Sequence, residues 1–244
     1  MKYLIDLDGT LLDHAKANLD AVPFIKKLQE DNIKFMIMTN SIKSPTIVVE
    51  RLESVGIKVP KVNILNPITA INIYLAKKEI SRAYIVGSSL EIEQVSVQHE
   101  TENPEMIILL DFEKYNIDYG ELQKLYLLIQ NNVPAIAASG SLYYLKDGIK
   151  QLDTGSFVKL LEQASNKDII ILGKPSIEYF PAGFSSLDAH PSGVTIIGDD
   201  YATDIIGAQN AGCNSVLLRS GKYKFGDEHK CHPDKIANKL MDCM

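Results

Sequence analysis

The chain is 244 residues long, with 25 Lys and Arg against 31 Asp and Glu and a formal charge of −6. That balance argues against a general nucleic-acid binder, which needs a basic face. It leaves small anionic substrates open, because one local cation or metal ion overrides net charge. At 45% hydrophobic and 23% charged residues the composition is globular with ample material for a core, and the length suits one large domain or a core carrying an insert.

Tyr3-Leu4-Ile5 reads as a first strand. Phe24, Ile25 and Leu28 then recur at helical spacing, with Pro23 suited to the first turn. Ile33 to Met38 is a second strand and ends at Thr39-Asn40-Ser41. The following helix carries Val48, Val49, Leu52 and Val55 on one side and stops at Gly56, a C-terminal cap. A middle segment has its own alternation: helices near Ile68–Lys78 and Glu121–Asn131, and strands at Ala83–Val86, Met106–Leu110 and Ala135–Ala138. The first pattern then returns. Ile169–Leu172 is a strand ending at Gly173-Lys174-Pro175, and Val194–Ile197 one ending at Gly198-Asp199-Asp200. A helix over Thr203–Ala211 is capped by Gly212, and Val216–Leu218 is the last clear strand.

This alternation predicts an α/β fold with a parallel sheet covered by helices on both faces. Soft boundaries near Asn66-Pro67 and Ser165-Asn166 divide it into a core of residues 1–67 plus 166–244 and an inserted α/β unit, residues 68–165. Four polar clusters, Asp6–Thr10, Thr39–Ser41, Lys174 and Asp199–Asp204, each follow a strand directly. In open parallel sheets ligands bind outside the carboxyl ends of the strands, so the four are expected to converge, with the insert placed to fold over them.

The residue types in those clusters suit one chemistry. A carboxylate such as Asp6 can attack phosphorus and split hydrolysis into two easier steps. A second carboxylate, Asp8, can give a proton to the leaving group and later take one from water. Gly9 allows the sharp turn between strand and ligand. Asp199 with Asp6 offers the hard oxygen donors that Mg²⁺ prefers. Lys174 and the Thr39 hydroxyl can meet phosphoryl oxygens, and positioning with electrostatics is most of what phosphoryl transfer requires.

Asp6-Leu7-Asp8-Gly9-Thr10-Leu11, Thr39-Asn40, Gly173-Lys174-Pro175 and Gly198-Asp199-Asp200-Tyr201-Ala202-Thr203-Asp204-Ile205, in that order, resemble the four motifs of the haloacid dehalogenase superfamily. The Thr39-Asn40-Ser41 turn, the closing Leu218-Arg219-Ser220-Gly221 and the place of the insert are similar to the NagD-type subgroup, which includes p-nitrophenyl-phosphatase-like proteins. The resemblance implies a Rossmann-like, doubly wound core with an inserted C2-type cap. It implies Asp6 as nucleophile and Asp8 as general acid/base. Mg²⁺ is then held by Asp6, Asp199 and the main-chain carbonyl of Asp8. Thr39, Asn40 and Lys174 become phosphate binders, and Asp204 a carboxylate behind them that holds a metal-bound water or orients the lysine. Asp200 sits where the subgroup varies. The departures lie in the insert, where Ala138-Ser139-Gly140-Ser141-Leu142 replaces an Asn-Pro-Asp-like segment.

The expected activity is Mg²⁺-dependent hydrolysis of a small phosphorylated metabolite, such as a sugar phosphate or nucleotide. A phosphotransferase or mutase on the same intermediate, or a non-catalytic phosphate-ligand binder, stands as the alternative. Cys213, Cys231 and Cys243 match no ligand spacing and read as reduced thiols of a cytoplasmic protein. Met1-Lys2 leads straight into an apolar run, which reads as no N-terminal signal, and no run approaches a membrane span. No nucleic-acid or membrane partner is expected, and a homodimer is compatible with the sequence. His14, just past the first cluster, reads as a surface residue with a site role left open, and Tyr143-Tyr144 as packing against the core of the insert, with lining of a substrate pocket as the alternative.

Overall fold

The computed structural model describes residues 2–112, 117–146 and 149–244. The chain divides into two compact units: one runs to Asn66 and resumes over Lys174–Met244, and the other is Pro67–Gly173.

In the first unit, β1 (Lys2–Asp6) leads through a small hairpin, β2 (Leu12–Asp13) and β3 (Lys16–Ala17), to α1 (Ala21–Glu30). Then come β4 (Phe35–Met38), α2 (Pro45–Glu53) and β5 (Ile64–Leu65). Pro45 occupies the first turn of α2, where its missing N–H costs nothing, and the Ser44 hydroxyl accepts from Ile47 N at 3.4 Å as the cap.

The second unit contains α3 (Pro67–Lys77), β6 (Arg82–Val86), α4 (Ser89–Ile92), β7 (Gln98–His99) and β8 (Met106–Leu109). It continues through α5 (Tyr119–Gln130), β9 (Ala135–Ala137), the hairpin β10 (Tyr143–Lys146) and β11 (Ile149–Leu152), α6 (Thr154–Ser165) and β12 (Ile170–Ile171). Its five-stranded sheet has the order β12-β9-β8-β6-β7, every pair parallel. Leu125 and Ile129 of α5 and Val158 and Leu161 of α6 pack with Ile107 and Leu109 of β8 in a separate core.

Two expectations are corrected here. Ile170 pairs with Ile136 of β9, so the strand before Lys174 is the edge of the second sheet, and this unit extends to Gly173 rather than ending near Asn166. An apolar run specifies a strand but not the sheet that it joins. Tyr143 does not pack into the core: it lies half-exposed on the two-stranded hairpin β10-β11, with Lys150 Nζ 4.2 Å from its ring centroid.

The chain returns to the first unit with α7 (Phe180–Leu187), β13 (Val194–Gly198), a π-helical turn over Tyr201–Ile205 that runs into α8 (Ile206–Asn210), β14 (Asn214–Leu218), α9 (Glu228–Cys231) and β15 (Lys235–Ala237). Its six strands lie in the order β15-β14-β13-β1-β4-β5, all parallel. Both faces are covered, which is why successive residues of β1 from Tyr3 on and of β13 are buried rather than alternating with exposed ones. Tyr3 and Ile5 face the cluster containing Phe24, Ile25 and Leu28 of α1. Leu4 points the other way onto α7, where Gly183 leaves it room. Among the described residues, no helix is long and apolar enough to cross a membrane. All three cysteines are buried and unpaired.

Candidate active site

Strand register sets the level of the site. Asp6 of β1 lies opposite Met38 of β4, and Ile5 lies opposite Ile197 of β13. Asp6, Thr39 and Asp199 therefore leave three neighbouring strands together. From β1 the chain first turns to one side, to β4 and β5, and later to the other, to β13 through β15, which makes the end of β1 the topological switch point.

The loop after Asp6 is tied from several directions. Gly9 N donates to Leu12 O at 2.7 Å, Asn18 Nδ2 to Thr10 O at 2.9 Å, and Ser220 Oγ to Gly9 O at 2.7 Å. Gly9 has φ 99° and Gly221 φ 50°, and a Cβ on either would collide with the Asp199 carboxylate. Here glycine is required both by conformation and by the close approach of three chain segments.

A buried charge cluster sits on this frame. Lys174 Nζ donates to Asp6 Oδ1 at 2.5 Å and to Asp204 Oδ1 at 2.6 Å. Asp204 Oδ2 accepts from Asp200 N at 3.1 Å, so both of its oxygens are engaged. Asp199 Oδ1 accepts from the Thr10 hydroxyl at 2.9 Å, and its Oδ2 from Lys222 N at 2.7 Å. Asp6 Oδ2 is buried, and no donor among the described residues bonds to it. Oxygens of Asp6, Asp199 and Asp204 lie within 4.8 Å of one another.

One lysine does not balance three such carboxylates. Burial, outweighing the pull of Lys174, pushes the carboxyls of Asp6 and Asp204 up to about 6. Burial raises Asp199 as well. Burial opposes the Lys174 charge, but Asp204 and Asp6 prevail and hold its pKa above the ordinary lysine value. A hard, all-oxygen donor set with a partnerless buried carboxylate oxygen and surplus negative charge fits a divalent cation such as Mg²⁺.

The remaining predicted residues fall in different places. Thr39 is buried at the end of β4, and its oxygen accepts from Ser41 N at 3.1 Å, leaving the hydroxyl hydrogen to donate elsewhere. The Asn40 side chain forms a clamp: its Oδ1 accepts from Lys174 N at 2.7 Å and its Nδ2 donates to Lys174 O at 2.9 Å. It fixes the backbone that carries the lysine. Asp8 is half-exposed and bonded to Arg51 of α2, 2.7 Å from Oδ1 to Nη2. Asp200 pairs with Lys222 Nζ at 3.0 Å; burial works against its charge, but Lys222 prevails and keeps its carboxyl below the ordinary value. His14 projects into solvent from the turn between β2 and β3.

Sequence reasoning missed Arg51, Lys222 and Tyr179, whose hydroxyl donates to Leu65 O at 2.7 Å and Thr39 O at 3.1 Å. Lys222 had a signal, its place just past Leu218-Arg219-Ser220-Gly221. Arg51 had none, being one charged residue on an amphipathic helix.

The family model described as haloacid dehalogenase-like hydrolase matches residues 3–100, and one described as HAD-hydrolase-like matches residues 171–243. Over 232 residues the chain is 30% identical to haloacid dehalogenase-like hydrolase domain-containing protein 2 of Mus musculus, covering 94% of this chain and 88% of that protein. The chain belongs to the haloacid dehalogenase-like hydrolases. This hydrolase has the NagD-type fold. It superimposes on NagD of E. coli K-12 with a TM-score of 0.87 at 21% identity, covering 98% of this chain and 96% of that one. The p-nitrophenyl phosphatase of Archaeoglobus fulgidus matches with a TM-score of 0.89 at 21% identity, over 99% and 97% of the two chains.

Proposed function

We propose that this hydrolase is a Mg²⁺-dependent phosphatase of small phosphomonoesters, with Asp6 as its nucleophile. The Asp6 carboxylate carries the reading: Lys174 fixes one oxygen, and the other lies buried at the switch point with no hydrogen-bond donor among the described residues. A similar fold in a protein named p-nitrophenyl phosphatase supports a phosphomonoester as substrate.

In the first step Asp6 Oδ2 attacks phosphorus. The bond from phosphorus to the leaving-group oxygen breaks, and Asp8 gives that oxygen a proton. In the second, water attacks the same phosphorus while passing a proton to Asp8, and the bond to Asp6 breaks with release of inorganic phosphate. Thr39 donates its hydroxyl to a phosphoryl oxygen, and Lys174 adds positive charge beside it. Asp204, bonded to Lys174, keeps the lysine aimed at Asp6. Asp6, Asp199 and the main-chain carbonyl of Asp8 would hold Mg²⁺, which supplies charge that offsets repulsion between carboxylate and phosphate.

Phosphate release from p-nitrophenyl phosphate and a panel of metabolite monoesters, with Mg²⁺ or with EDTA, tests this reading. Turnover is expected with Mg²⁺ only and falls at least about a thousandfold in Asp6→Asn. Undiminished turnover in that variant removes Asp6 as nucleophile. Transfer of phosphate to an added alcohol in place of release identifies a phosphotransferase.

A further inference from the structure

Proton transfer to the leaving group needs the Asp8 carboxyl beside the leaving-group oxygen. In the structure that carboxyl is bonded to Arg51 Nη2 at 2.7 Å, across 43 positions of chain. Both partners are open to small molecules, with side-chain exposures of 51% for Asp8 and 31% for Arg51. An exposed pair of this kind contributes little to stability, so the fold alone gives weak reason for it.

The other cations here are differently placed. Lys174 is held by Asp6 and Asp204, and Lys222 by Asp200. Among the described residues at these strand ends, Arg51 is the cation whose carboxylate partner the chemistry itself draws away. A guanidinium released from one carboxylate offers a planar fork of N–H donors that suits another carboxylate or a phosphate.

The distances limit where that second anion sits. The leaving-group oxygen lies one hydrogen bond from Asp8, and Arg51 lies one hydrogen bond from Asp8 on its other side. Counting about 2.7 Å for each bond and about 2.2 Å across the carboxylate, the guanidinium lies at most about 8 Å from the ester oxygen, so an anionic group roughly 5 Å from that oxygen reaches it.

We propose, resting on the phosphatase reading above, that Arg51 selects substrates whose leaving group carries a carboxylate or a second phosphate, exchanging Asp8 for that anion when substrate binds. A neutral leaving group has no anion to offer Arg51, which then gives up Asp8 without gaining a partner.

The test is a ratio of kcat/KM values in the Mg²⁺-loaded protein. One pair is 3-phosphoglycerate against glycerol 3-phosphate, which isolates a carboxylate. The other is 1,3-propanediol bisphosphate against propyl phosphate, which isolates a second phosphate. The proposal expects at least one anionic member to be preferred by about tenfold or more, chiefly through KM. In Arg51→Ala that preference collapses toward unity, and in Arg51→Lys, which keeps the charge without the fork, it is intermediate. A purely structural role for Arg51 lowers both members of each pair in proportion and leaves the ratios unchanged, which overturns the proposal. Turnover of p-nitrophenyl phosphate without preference for either anionic member overturns it too and leaves the phosphatase reading standing. No Mg²⁺-dependent phosphate release from any of the five compounds removes both.

Discussion

Lys174 meets two carboxylates with its side chain only 4% exposed, and those carboxylates are buried too, at 8% for Asp6 and 1% for Asp204. Breaking such a cluster by removing one partner leaves charge buried without compensation, at a cost of about 3–5 kcal/mol. Lys174→Met is therefore expected to lose about that much stability in EDTA, measured by urea unfolding, as well as activity. Asp6→Asn goes the other way. Its carboxyl is pushed up to about 6, so holding it ionised at neutral pH costs folding energy, and the neutral amide removes that cost. Without metal this variant is expected to unfold at an unchanged or higher urea concentration while turnover is lost. A large loss of stability in Asp6→Asn contradicts this account of the cluster.

Two loops and one helix bring the side chains of the site together. The loop after β4 holds the segment that follows β12 through Asn40, which bonds both the N–H and the C=O of Lys174. Asn40→Ala leaves those two backbone groups without their partner. A loss of about 1–3 kcal/mol and a lower kcat are expected, with faster hydrogen exchange at the Lys174 amide as the local signature. The loop after β14 acts in the same way on Asp199, through Lys222 N, and on the first motif, through Ser220. Helix α2 brings Arg51 to Asp8, burying Val48 and Leu52 on its inner side.

For the whole molecule, the cluster couples metal, protons and folding. Asp6 and Asp204 rise from an ordinary 3.8 to about 6 in the folded chain. Between those values the unfolded chain has released protons that the folded chain still holds. This contribution to metal-free stability is thus fully present below about pH 4 and is lost as pH rises through about 6. A divalent cation held by the ionised carboxylates would compete with those protons. The rise in melting temperature produced by Mg²⁺ is therefore expected to be clearly larger at about pH 7.5 than at about pH 5. Equal shifts at the two pH values contradict the assignment of these carboxylates to the metal site.

By itself the sequence determined the parallel α/β class, most elements of both units, and the side chains gathered at the strand ends. Those features are local. An apolar run that ends in Asp-Leu-Asp-Gly-Thr or Thr-Asn-Ser carries its own strand, turn and chemistry, and parallel strands bring such ends to one edge. Tertiary structure alone decided that Ile170–Ile171 joins the second sheet, that Asn40 serves Lys174, that Thr10 and Lys222 hold Asp199, and that Asp8 rests on Arg51. Each of these is a pairing between residues distant in the chain. Periodicity and turn chemistry define what an element is, but its partners depend on which surfaces meet when the sheets form, and no window of sequence contains both sides of such a contact.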